Sequence, residues 1–138
     1  MHDRMGNGEA AQYFVYRSSE PATSPVGVRI VDVSPHIAQK NELMEQLSVA
    51  LDFPGYFGRN WDALDECLRD LSWLEEHEIE LRHKNVPLEE MQEQRIYLSI
   101  LQDCVIDWVK GNDKNFVVSF PESCRELVER RLLEARRP

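Results

Sequence analysis

No stretch of this chain approaches the roughly 20 consecutive apolar residues needed to cross a bilayer, so no membrane-spanning helix is expected. Residues 1–12 are polar and charged and hold no apolar run of the secretory kind. Cysteine is scarce and odd in number. Cys67, Cys104 and Cys124 lack CxxC spacing, so free thiols in a reducing cytoplasm are expected, not a disulfide framework. Positive charge is short as well: 16 Lys and Arg face 25 Asp and Glu, giving a formal net charge of −9. Such a surface repels phosphate backbones and gains nothing from counterion release, which disfavours direct nucleic-acid binding. It suits a basic protein partner, or serves solubility alone. Internal repeats and low-complexity runs are missing too.

Catalytic constellations are equally sparse. A cysteine nucleophile needs a base, and no local pattern joins the three cysteines to His2, His36, His77 or His83. The same residues lack metal-ligand spacing, so neither metal nor cofactor is expected. Asp62 and Glu66 lie one helical turn apart like a hydrolase pair, but both project from one helix with no second wall to define a cleft. The expectation is a protein that is not an enzyme.

What the chain does have is enough apolar mass, 42% of 138 residues, for one domain with a core. Residues 1–25 carry Gly6, Gly8, Pro21 and Pro25 and read as a mostly flexible arm, in which only 13–16 has the composition of a short edge strand. The run at 26–33 predicts a strand buried on both faces. Ser34 reads as the cap of a helix to about residue 50, with Pro35 in its first turn and Ile37, Leu43, Met44 and Leu47 as its apolar stripe. A second helix follows over about 60–71, then a strand over 78–83. Residues 88–110 predict a helix, whole or in two pieces, with Met91, Leu98, Leu101, Val105 and Trp108 inward and Gly111 as the stop. A strand over 115–120 and a last helix from Pro121, striped by Cys124, Leu127, Val128 and Leu132, complete the chain; Arg136 and Arg137 sit at its negative end. Strands separated by helices imply crossovers, hence a small parallel sheet with helices packed on it.

The helix at 60–71 has two chemically distinct faces. Asn60 is a good N-cap, and Gly58 permits a close approach just before it. At about 100° per residue, Asp62, Glu66 and Arg69 fall within roughly 60° of one another with Asp65 beside them, while Leu64, Leu68 and Leu71 fall opposite. Cys67 and Trp61 lie at the margins. The plain reading is a solvated face on which Arg69 pairs with Asp65 or Glu66. Phe53, Tyr56, Phe57 and Trp61 beside the carboxylates favour a recognition surface instead. Trp73 and Trp108 are read first as core residues.

The run Tyr56-Phe57-Gly58-x-Asn60-x-Asp62-Ala63-Leu64-x-x-Cys67-Leu68 resembles the central motif of barstar-type ribonuclease inhibitors, and residues 69–74, Arg-Asp-Leu-Ser-Trp-Leu, are similar to members of that family. The resemblance is sharp over 53–74 and follows the order of elements over roughly 26–120. It implies an α/β fold with a small three-stranded parallel sheet packed against helices, formed by 26–120, with the arm at 1–25 and a helical extension at 121–138 packed on the domain. It implies a reversible protein inhibitor that lays one helix and its preceding loop across the active site of a small basic ribonuclease, carboxylates taking the place of substrate phosphates. Tyr56, Gly58, Asn60, Trp61, Asp62, Glu66, Arg69, Asp70 and Trp73 match contact positions. Glu66 stands where the family's central aspartate sits. Asp65 occupies a position that can be aromatic, and Arg69 and Asp70 replace small residues, which puts the target's identity in question. A further acidic contact is expected before the last strand, from Asp107 or alternatively Asp103. The implied partner is a basic ribonuclease met in the cytoplasm by a chain that is monomeric when free, with no nucleic-acid or membrane contact of its own.

Overall fold

Alternating strands and helices leave a parallel sheet as the economical arrangement, and all strand pairs are parallel. The computed structural model describes residues 13–19, 25–55, 57–111 and 114–136. Its elements are β1 (Val15–Arg17), β2 (Val28–Val33), α1 (Lys40–Ala50), α2 (Trp61–Asp70), β3 (Glu78–His83), α3 (Met91–Gly111), β4 (Asn115–Pro121), a 3-10 turn at Glu122–Cys124 and α4 (Arg125–Ala135). The sheet order is β1-β4-β3-β2.

One face of the sheet carries Val31, Val33, Ile79, Leu81, Phe116, Val118 and Phe120, all buried in a core shared with the helices. The helices contribute Leu43, Met44 and Leu47 from α1, Leu64 and Leu68 from α2, Leu98, Leu101 and Val105 from α3, and Val128 and Leu132 from α4. The opposite face is polar. Asp32 pairs with Arg82 at 2.7 Å, Glu78 accepts from Asn115 at 2.9 Å, and Glu80 accepts from both Arg17 and Ser119. Glu80 is only 4% exposed, and the two-pronged guanidinium contact with a hydroxyl compensates its desolvation.

The expected three-stranded sheet is corrected to four. β1 pairs with the outer side of β4, Tyr16 opposite Phe120, and Arg17 reaches past Ser119 to Glu80 on β3. Those contacts hold a strand of three residues that composition alone marks weakly. The rest of the arm, 1–12 and 20–24, lies outside the described residues, as does Arg137.

Three smaller corrections follow from local chemistry. β2 is an edge strand, not a strand buried on both faces: Val31 and Val33 are buried, Val28 and Ile30 half-buried, and Val26 lies before the strand, exposed. α1 begins at Lys40, because the Ser34 hydroxyl accepts from the His36 amide in a turn, while the Glu42 carboxylate accepts from the Ala38 and Gln39 amides and starts the helix there. α3 is unbroken and includes Gly111, and Met91 at its start is exposed where an inward position was predicted.

Candidate functional site

α2 is fixed at both ends and along its floor. Asn60 Oδ1 accepts from the Ala63 amide at 2.7 Å, satisfying one of the free first-turn donors. A Cβ on Gly58 would sit 3.3 Å from Nδ2 of the Asn60 side chain, so glycine leaves the capping side chain room. At the other end Leu71 adopts a left-handed φ of 48°, its amide donating to Cys67 O, and the Asp70 carboxylate accepts from the Ser72 amide. Leu64, Leu68 and Leu71 are fully buried, each contributing on the order of 1.5–3 kcal/mol of apolar burial. Trp108 of α3 donates its indole N–H to Leu68 O at 2.7 Å, tying α2 to α3.

The predicted segregation is therefore present, with Cys67 on the buried side at 4% exposure. Asp62 and Glu66 are exposed, and neither side chain has an ion pair or hydrogen bond among the described residues. Asp62 lies in the first turn, where the helix dipole favours a negative charge. Asp65 is turned aside: Arg69 Nε donates to its Oδ1 at 2.9 Å, and the Cys104 thiol lies 3.7 Å from the same oxygen. Arg69 also reaches Asp107 of α3, Nη1 to Oδ2 at 3.3 Å. Asp103 instead lines the groove between α3 and α4, with Arg95 and Glu134.

The aromatic loop before α2 is braced from the far side of the helix. Trp73 donates its indole N–H to Leu51 O at 2.7 Å and meets Phe53 edge-on, and Phe53 meets Phe57 at 4.8 Å between ring centroids. Trp73 is thus half-buried and positions the loop. Phe57 closes a turn by donating to Pro54 O. Trp61 lies on the other flank against Tyr97, with the Lys40 ammonium 5.9 Å from its ring centroid. Tyr56 lies outside the described residues.

Some neighbours carried no local sequence signal. Arg59 has a left-handed φ of 59° and pairs with Glu45 of α1 at 2.6 Å, which directs that cation away from Asp62 and Glu66. The Asp65–Arg69 pair was legible from its spacing of four; the Arg69–Asp107 pair depends on how α2 docks on α3 and was not. Burial raises the pKa of the Cys67 thiol, with Glu66 and Asp70 adding to the effect, and pushes Cys104 up to about 12, with Asp65 beside it. Both remain protonated near neutral pH, which disables them as nucleophiles.

A capped helix displaying two carboxylates without partners among the described residues, next to an aromatic loop, is suited to docking on a cationic surface. The family model described as Barstar (barnase inhibitor) matches residues 28–121, from β2 through β4 and including all of α2. No curated protein and no solved structure matches the chain. On the strength of the family match the chain belongs to the barstar family.

Proposed function

We propose that this protein inhibits a small, basic, barnase-like ribonuclease by covering its active site with the N-terminal half of α2 and the loop at 53–59. The observation that carries the reading is the pair Asp62 and Glu66: exposed, without partners among the described residues, and held on a helix capped by Asn60 and floored by three buried leucines. A ribonuclease site must gather Arg, Lys and His to hold phosphate and its transition-state charge. Fixed carboxylates meet those cations through charge-assisted hydrogen bonds without offering a bond to cleave. The net charge of −9 would steer a cationic enzyme toward this face before contact. Gly58, Asn60 and Trp73 position the contact surface, Trp61 and Asp70 border it, and the chemistry is display without catalysis. Three free thiols suit the cytoplasm, where a cell that makes such a nuclease needs protection from it.

The test is titration of RNA cleavage by a panel of small basic ribonucleases with the purified chain. Stoichiometric inhibition of at least one enzyme is expected. A folded chain that inhibits none would instead be a barstar-like interaction module with a different protein partner.

A further inference from the structure

The acidic face of α2 is flanked by a cation on the side that meets α3. Asp62, Glu66 and Asp70 form an exposed row at a spacing of four, and Arg69 lies beside that row on the side of α3. Its guanidinium is held between two carboxylates by different nitrogens, Nε to Asp65 at 2.9 Å and Nη1 to Asp107 at 3.3 Å. The Cys104 thiol lies against Asp65 from α3, so Asp65, Arg69 and Asp107 are engaged with one another across the α2–α3 contact.

We propose that Arg69 sets the specificity of this surface: by holding Asp65 and Asp107 it keeps both out of the exposed carboxylate row, and so selects ribonucleases whose active-site cations meet Asp62 and Glu66 but which present no cation at the edge facing α3. The proposal rests on the inhibitor reading above. An enzyme Lys or Arg at that edge would face a like charge about one turn from Glu66, and could reach Asp65 or Asp107 only by displacing a guanidinium already bonded to both. A forked side chain suits this role, since a lysine is a point charge that cannot offer two fixed directions. Because the pairs are partly exposed, their weight in stability is small, and their consequence lies in which charges a partner meets.

The experiment measures inhibition constants of the native chain, Arg69→Gln, Asp107→Asn and the double variant against ribonucleases that differ in charge beside the active site, with circular dichroism confirming the fold of each. Asp107→Asn alone should change inhibition by less than about twofold, because Arg69 already occupies that carboxylate. Arg69→Gln should tighten inhibition about tenfold or more for enzymes with a cation at the facing edge, leave the others within about threefold, and lose part of its gain when Asp107→Asn is added, Asp65 remaining free. An equal gain for every enzyme would mean that only net charge had changed and would overturn the proposal. So would a large loss from Asp107→Asn with Arg69 intact. Those two results leave the inhibitor reading standing, whereas inhibition by none of the four chains removes that reading and this inference with it.

Discussion

Lowering the pH should weaken this fold well before its carboxylates begin to protonate, through His83. The ring lies at the end of β3, 1% exposed, stacked on Phe120 at 4.2 Å between centroids. Its Nδ1 is 3.1 Å from Ser119 O, which can only accept, so Nδ1 carries the proton; Nε2 then accepts from the Tyr97 hydroxyl at 2.7 Å. Burial holds the pKa down to about 4 against an ordinary 6.5. Above pH 6.5 both folded and unfolded chains are neutral at this ring and its contribution is complete. As pH falls from 6.5 toward 4, only the unfolded chain takes up the proton, and stability drains away. The full gap is worth about 3 kcal/mol, of which about 2 kcal/mol is gone by pH 5. Asp32 and Glu76, whose pKa values are lowered by hydrogen bonds from Arg82 and Arg29, add their loss only as pH falls through and below their ordinary 3.8 and 4.5. Urea unfolding followed by tryptophan fluorescence at pH 8, 7, 6 and 5 isolates the histidine. His83→Gln mimics the neutral ring, with a donor for Ser119 O and an acceptor for Tyr97, and should lower stability at pH 8 but flatten the slope between pH 7 and 5. An unchanged slope in that variant, or a His83 ring that titrates near 6.5 by NMR, would refute the reasoning.

Asn60→Ala removes the acceptor for the Ala63 amide and should cost about 0.5–2 kcal/mol in denaturant unfolding, with Asn60→Asp recovering most of it. Trp73→Phe keeps much of the ring packing against Phe53 but deletes the bond to Leu51 O; hydrogen exchange should quicken in the loop at 51–58 while the amides of α2 keep their protection. Leu68→Ala empties a fully buried position under the acidic face and should destabilise the fold by about 2–5 kcal/mol, readable as a lower urea midpoint.

Much of this was legible because the determinants were local. Three leucines at helical spacing and an asparagine cap define α2 from its own residues, and Glu78–His83 alternates as a strand should. Where two local signals competed, the sequence was ambiguous: Ser34-Pro35 resembles a helix start, yet Glu42 reaching back to two amides marks the true one five residues later. What could not be read joins residues distant along the chain. β1 is held through Arg17 and Glu80, 63 residues apart, and Asp107 meets Arg69 only once α3 has docked on α2. The candidate site divides in the same way. Asp62 and Glu66 on the exposed face follow from periodicity and the Asp65–Arg69 pair from its spacing of four, whereas the Arg69–Asp107 pair required the packed structure.

The central claim is that Asp62 and Glu66 are the groups a basic ribonuclease meets, and the most direct measurement is the inhibition constant of the double variant Asp62→Asn, Glu66→Gln beside the native chain. Both substitutions keep shape and remove charge at exposed positions, so the fold should be untouched and circular dichroism unchanged. The account predicts inhibition weakened by at least about a hundredfold, together with a smaller salt dependence of association. Native-like inhibition by the folded double variant would contradict it.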